Sequence, residues 1–188
     1  YRMNDIKLFA AEATGPTHDK VHPRIGVTAK WIWSIYLGLT LAEAAFLLFG
    51  GMNIFDSLCH SMTTTSTGGY STRQGSIASY NSSYIEYVVT IFMFLSGINF
   101  TLLYTVSLKG KIRKFLQDTE FKWYLGTVLT FTAITAVTLY FTTSMGSEES
   151  FRKAVFQVVS LQTTTGFVSA DYATWVPPLW LLLCITMI

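Results

Sequence analysis

The chain has 188 residues, of which 51% are apolar, 15% aromatic and only 13% charged. Soluble domains carry about 25% charged residues, so this composition argues against a soluble enzyme, a disordered segment and a disulfide scaffold. A net charge of +2 is too small to imply a polyanionic partner, and no nucleic acid is expected.

In chain order, residues 1–30 carry Arg2, Lys7, Lys20, Arg24 and Lys30 and read as a polar connector. His18 and His22 are four apart, but Gly15, Pro16 and Pro23 make the segment a loop, not a helical metal pair. Trp31–Gly50 is apolar apart from a few small polar residues and Glu43. A bilayer-spanning helix needs about 20 such residues, so this is a first span. An acid inside a span is expensive. Glu43 either faces the interior, where it stabilises a cation or a helix, or is protonated, or pairs with a polar group.

Asn53–Thr65 is apolar but too short to cross, which suits a re-entrant helix better than a span; a helix lying flat on the membrane is the alternative. Asp56 near its start complements the helix dipole, and His60 reads as a structural hydrogen-bonding group. Tyr87–Leu108 is a second span, with Gly97 suited to close packing or, as the alternative, a bend, and Asn99 to a hydrogen bond across helices. The connector 109–122 holds Lys109, Lys111, Arg113, Lys114 and Lys122. Trp123–Met145 is a third, Thr-rich span, and Ser150–Leu161 a second short apolar segment. Trp175–Ile188 opens a fourth span at Pro177-Pro178, since proline suits a helix's first turn. Cys59 and Cys184 lie in apolar stretches and read as small buried residues. The chain opens at Tyr1 and stops at Ile188 inside an apolar run, and the expectation is an internal piece of a longer membrane protein.

Ten of the 13 basic residues lie in segments 1–30 and 109–122, which the positive-inside rule makes cytoplasmic. Asp56, Glu86, Glu148, Glu149 and Asp171 then sit on or near the outer side, where a mildly acidic mouth would gather cations.

The order span, short helix, Thr/Gly segment, span occurs twice. His60-Ser-Met-Thr-Thr-Thr-Ser-Thr-Gly-Gly-Tyr70-Ser-Thr72 in the first unit matches Gln157-Val-Val-Ser-Leu-Gln-Thr-Thr-Thr-Gly-Phe167-Val-Ser169 in the second. A shift of 97 residues pairs Gly69 with Gly166 and Tyr70 with Phe167. Two units running in the same direction imply an axis along the membrane normal, where a pore belongs.

Non-helical backbone at membrane depth survives only when buried in protein or lining water. Glycine permits positive φ, so successive carbonyls can turn to one axis and replace a cation's hydration shell, as in potassium-channel filters. The preceding helix points its C-terminal end, roughly −0.5 charge, at the path. The expected filter residues are Ser66, Thr67, Gly68, Gly69 and Tyr70 in one unit and Thr163, Thr164, Thr165, Gly166 and Phe167 in the other. The permeating cation, which the family resemblance implies is potassium, is expected at Thr67, Gly68, Thr164 and Thr165, with Tyr70 and Phe167 wedging the loops against neighbouring helices.

These segments resemble the Trk/Ktr/HKT superfamily of potassium transporters, specifically its TrkH/KtrB-type membrane subunit. Ser66-Thr-Gly-Gly-Tyr-Ser-Thr72 looks like the second filter of such proteins, and Thr163-Thr-Thr-Gly-Phe167 with Asp171 like the third. Ala11-Glu-Ala-Thr-Gly-Pro-Thr17 and His22-Pro-Arg24 resemble the cytoplasmic connector before the second unit. The resemblance implies an all-α integral membrane protein of pseudo-fourfold, potassium-channel-like architecture, built of span–pore-helix–filter-loop–span repeats. Residues 1–30 would be a cytoplasmic connector, 31–108 the second repeat, 109–122 a cytoplasmic loop and 123–188 a truncated third repeat. The implied function is potassium uptake across the cytoplasmic (inner) membrane, without enzymatic chemistry and with potassium as permeant ligand in place of any cofactor. The alternatives are a less selective sodium/potassium pathway and a non-conducting structural subunit. The implied partners are membrane lipid, a second copy in a homodimer, and a cytosolic nucleotide-binding regulatory subunit of the TrkA/KtrA type, which the connector 109–122 would face. Two units cannot surround a pore, so the piece alone is expected to be inactive.

Overall fold

The computed structural model describes residues 25–100, 102–103, 117–143, 146–170 and 175. The connector before residue 25, residues 104–116, Asp171, Cys184 and the fourth span beyond Trp175 lie outside the described residues. Among the described residues the regular structure is helical: α1 (Ile25–Phe49), α2 (Ile54–Thr65), a 3-10 turn (Ser76–Tyr80), α3 (Ser83–Ser96), α4 (Thr119–Thr142) and α5 (Ser147–Gln162).

α1 and α4 are the two described helices long and apolar enough to cross a membrane. Only 22% of the apolar window of each is buried. A soluble core helix of that hydropathy would be covered, so these surfaces suit lipid. Several threonines on the exposed face of α4 are satisfied locally. Thr130, Thr138 and Thr142 donate to the carbonyl four residues back at 2.7–2.8 Å, which removes the hydroxyl's cost in an apolar medium. The buried residues of α4 are Phe121, Val128, Thr132, Thr135 and Leu139, a single stripe at helical spacing, and this stripe packs on α5.

α2 is inverted relative to a soluble amphipathic helix. Its buried residues are Asp56, Ser57, His60, Ser61, Thr64 and Thr65, whereas Ile54, Phe55, Leu58 and Met62 are exposed. The hydroxyls bond their own helix: Ser57 to Ile54 O, Ser61 to Leu58 O, Thr64 to His60 O and Thr65 to Ser61 O. Asn53 caps the N-terminus by accepting the Asp56 N–H at 2.7 Å. The polar face points into the protein and the apolar face outward. A short re-entrant helix needs this arrangement.

α1 packs on α2 and α3, and α5 packs on α3 and α4, so α3 joins the two halves. A buried cross-link reinforces this joint. Arg152 of α5 donates to Glu86 of α3 and, at 3.0 Å, to Glu148 in its own first turn. The apolar core fills the same joint, with Phe156, Phe167, Val89 and Met93 fully buried.

Three expectations are corrected. The second span is not one continuous helix: α3 stops at Ser96, and the chain breaks at 97–99 before helical geometry resumes at Phe100. The Ile98 N–H turns back to Leu95 O, which frees the Phe94 carbonyl, and Tyr124 of α4 donates its hydroxyl there at 3.1 Å. A Cβ at Gly97 would meet the Tyr124 hydroxyl at 2.6 Å and the Thr163 methyl at 2.7 Å, so the close approach needs glycine. Among the described residues, the four acids expected at the outer mouth are not free. Asp56 pairs with Arg73, Glu86 and Glu148 with Arg152, and Glu149 with Lys153. Finally, Cys59 is half-buried and not a core residue.

Candidate functional site

α2 and α5 each run into a loop with the same alternating backbone. Thr67 and Gly69 have φ of 53° and 66°, and Thr164 and Gly166 have φ of 58° and 80°. A threonine enters the left-handed region only where its surroundings hold it there. That it does so twice, two residues before a left-handed glycine, marks a specified shape.

The hydrogen bonds holding that shape repeat at 97-residue spacing. Ser66 N–H and Thr163 N–H bond to Met62 O and Val159 O. Thr67 N–H and Thr164 N–H bond to Thr64 O and Leu161 O. Gly69 N–H and Gly166 N–H reach Thr63 O at 3.4 Å and Ser160 O at 3.1 Å. Each short helix thus binds the amides of the loop it begets.

Carbonyl direction follows. Among the described residues no peptide is cis, and in a trans peptide C=O of one residue and N–H of the next point oppositely. N–H groups of Thr67, Gly68 and Gly69 bonded back to α2 therefore turn the carbonyls of Ser66, Thr67 and Gly68 away from it. The same logic turns Thr163 O and Thr165 O away from α5. The two loops meet there: a Cβ built on Gly69 would lie 1.9 Å from Thr165 O and 3.4 Å from the Gly166 carbonyl carbon. Beyond the loops, Ala78 N–H bonds Val168 O at 3.1 Å, and Val168 N–H bonds the Ser76 hydroxyl at 3.2 Å.

The outer ends of the loops turn the other way. Tyr70 O accepts the Thr63 hydroxyl at 2.9 Å, and Phe167 O accepts the Ser160 hydroxyl at 2.7 Å. The side chains differ between the units. Phe167 is fully buried beside the His60 ring, 5.9 Å between centroids. The Tyr70 ring is 78% exposed, so it does not wedge its loop against a helix of the described residues, contrary to expectation. The Thr163 hydroxyl donates to Val159 O at 2.8 Å and lies 2.8 Å from that of Thr165, which must then be the donor to it. Thr165 is thereby held behind its own carbonyl.

His60 is the central support of the first loop. Its Nδ1 lies 2.7 Å from the Asp56 carbonyl and so carries the proton; Nε2 accepts the Ser71 hydroxyl at 2.9 Å. Asp56 accepts the Thr72 hydroxyl at 2.7 Å and Arg73 at 3.4 Å. The Thr72 hydroxyl, with Tyr80 and Arg73 behind it, holds the Asp56 carboxyl below its ordinary range. Glu43 is fully buried beside Thr64 in the last turn of α2. A cleft of about 670 Å³ opens beneath the loops, lined by Thr65, Thr67, Gln162, Thr164, Asn99 and Glu120 among others. Asn99 donates to Glu120 at 3.2 Å across it, the interhelical bond that its place in the span suggests.

Thr63, Ser160 and Ser76 were not singled out from the sequence. A signal existed for the first two: each is a hydroxyl residue six positions before a filter-type glycine.

A family model described as TrkH, cation transport protein, matches residues 3–188. The chain belongs to the TrkH family of cation transport proteins. It is 38% identical over 187 residues to the Trk system potassium uptake protein TrkH of Salmonella typhimurium, covering 97% of this chain and 38% of that protein. To the potassium uptake protein TrkG of Escherichia coli it is 33% identical over 174 residues, 92% of this chain and 36% of the relative. It superposes on the crystal structure of the potassium transporter TrkH from Vibrio parahaemolyticus with a TM-score of 0.85 at 31% identity, covering 96% of this chain and 38% of that one. The chain therefore spans well under half the length of these TrkH-family relatives.

Proposed function

We propose that this chain forms two of four span–pore-helix–loop–span units around a potassium-uptake pathway in the cytoplasmic membrane, with residues 31–108 and 123–188 as the second and third units. The backbone carbonyls of Ser66, Thr67, Gly68, Thr163, Thr164 and Thr165 replace part of the ion's hydration shell, with potassium bound between Thr67–Gly68 and Thr164–Thr165. One observation carries the reading: two left-handed Thr-x-Gly loops, each with its amides bound back to a short helix, touch at Gly69 and Thr165. That geometry frees a row of neutral oxygens toward a shared line, and neutral oxygens release an ion where a ring of carboxylates would retain it. The C-terminal ends of α2 and α5 add negative potential from behind. The cleft below is the inner vestibule, on the side where the basic connectors put the cytoplasm. No step of this function is covalent. Relatives named for potassium uptake by a Trk system support potassium as the ion, while the homodimer and the cytosolic nucleotide-binding regulator enter this proposal from the family resemblance alone.

The test is rubidium and sodium uptake into liposomes by the full-length protein. Gly166 is the position to change, because a Cβ there meets nothing within 4 Å and the fold is spared. Gly166→Ser strains a left-handed residue and moves its carbonyl, so the sodium-to-rubidium ratio should rise at least several-fold. An unchanged ratio in a protein that still transports removes this loop from the ion path.

A further inference from the structure

The two loops share one contact type that their role as ion ligands does not require. In each unit a single hydroxyl residue, third from the end of the short helix, holds both ends of the Gly–aromatic pair. The Thr63 carbonyl takes the Gly69 N–H and its hydroxyl donates to Tyr70 O; the Ser160 carbonyl takes the Gly166 N–H and its hydroxyl donates to Phe167 O. The residue differs between the units, but the hydroxyl and both hydrogen bonds are the same.

We propose that Thr63 and Ser160 are positioning residues that set the outer limit and width of the ion path. The inference rests on the filter reading above. By drawing the carbonyls of Tyr70 and Phe167 back to the helix, each hydroxyl removes those oxygens from the set an ion can reach, so ligation ends below them. By fixing both ends of a two-residue stretch whose glycine is otherwise free to rotate, it also keeps the carbonyls beneath from spreading or closing around an ion of the wrong size. The units are not equivalent in this. Ser160 is fully buried, and among the described residues its hydroxyl is aimed at Phe167 O alone. The Thr63 hydroxyl has Cys59 O and His60 O at 3.1 Å besides Tyr70 O at 2.9 Å. One proton serves one strong acceptor at a time, so the Thr63 clamp is the looser of the two. Its hold on Tyr70 is helped because His60 O already accepts the Thr64 hydroxyl at 2.8 Å.

The test compares Ser160→Ala, Thr63→Val and the hydroxyl-preserving Thr63→Ser in the full-length transporter, reading rubidium and sodium uptake into liposomes beside Gly166→Ser. Ser160→Ala only deletes an oxygen and Thr63→Val keeps the shape, so both should fold. The expected result is a several-fold rise in the sodium-to-rubidium ratio for Ser160→Ala, a smaller rise for Thr63→Val, and the parent ratio for Thr63→Ser. If both ions slow equally and the ratio holds, the residues are merely structural and the proposal is overturned. An unchanged ratio in Ser160→Ala and Thr63→Val also overturns it while Gly166→Ser still shifts the ratio. If Gly166→Ser leaves the ratio unchanged as well, the filter reading itself has failed.

Discussion

The loop after α2 and the loop after α5 trace one backbone path, yet they are supported from different places. The first leans on side chains of its own unit: His60 takes the Ser71 hydroxyl, Asp56 takes Thr72 and Arg73, and the Arg73 N–H returns to the Ser71 oxygen at 3.1 Å. The second has Val168 where the first has Ser71, and among the described residues no carboxylate bonds to it. It leans on its neighbour instead, through Ser76 and Ala78 of the turn following the first loop. Its own side chains are sequestered, with Thr163, Thr165 and Phe167 buried where Ser66, Gly68 and Tyr70 are exposed. The same carbonyl geometry thus arises from two solutions. What recurs is the set of backbone amides bound to the short helix, not the residues around them.

The two glycines break this symmetry most sharply. Both have positive φ, which costs an alanine about 1 kcal/mol or more. Gly69 also faces the Thr165 carbonyl, where a methyl would sit 1.9 Å away, while Gly166 faces open space. Gly69→Ala should therefore abolish folded, transporting protein, because backbone must move in both loops. Gly166→Ala should fold with only the strain of its dihedral. Expression, thermal midpoint and rubidium uptake distinguish them, and equal outcomes would mean that the loops do not touch as described.

Next in size is the dependence of the second loop on the first unit. Ser76→Ala leaves the Val168 N–H without its partner, at about 1–3 kcal/mol for a group that is shielded from water. Ser71→Ala removes a hydroxyl from the first loop only. Amide exchange around 166–169 should accelerate in Ser76→Ala and stay at the parent rate in Ser71→Ala. Acceleration in both would show a single cooperative unit instead of one loop resting on another.

Much of this was legible from sequence because it depends on hydropathy and length. About twenty apolar residues make a helix long enough to cross a bilayer, twelve or so make a short one, and Gly–aromatic pairs 97 apart mark the register. The hydrogen bonds repeat in that register. What was hidden depends on partners distant in sequence. The break after Ser96 was legible only as the bend that Gly97 permits within an otherwise apolar stretch; it persists because a tyrosine 30 residues on caps the freed carbonyl. The outer acids looked like a cation mouth because a sequence does not reveal that Arg152 lies between Glu86 and Glu148. The exposure of Tyr70 and the burial of Phe167 separate two residues that composition treats alike. The supporting hydroxyls of Thr63 and Ser160 were visible as letters but not as bonds, since only the left-handed turns bring residues seven apart into contact.

The smallest expected effect tests the side-chain support of the first loop by pH. Asp56 has its carboxyl pulled below the ordinary range chiefly by the Thr72 hydroxyl. A depressed native value means that the group stabilises the fold fully above its unfolded pKa of about 3.9 and loses that contribution as pH falls through the lower native value. The position 97 residues on is Lys153, a base that pairs with Glu149 within α5, so the Asp56 carboxyl has no acidic counterpart there. Acid should therefore loosen the first loop more than the second. Between pH 7 and pH 3, amide exchange at Thr72 and Arg73 should rise toward the acid end relative to Val168. Asp56→Asn should exchange faster than the parent at neutral pH, with the gap closing as pH falls through the depressed native value. Arg73 is half exposed, so water screens its share and the remaining effect belongs to the Thr72 hydrogen bond. Thr72→Val should then reproduce most of the Asp56→Asn behaviour, whereas Arg73→Gln should reproduce little of it. Parallel acid responses in the two loops would show that the first is held, like the second, by its neighbour.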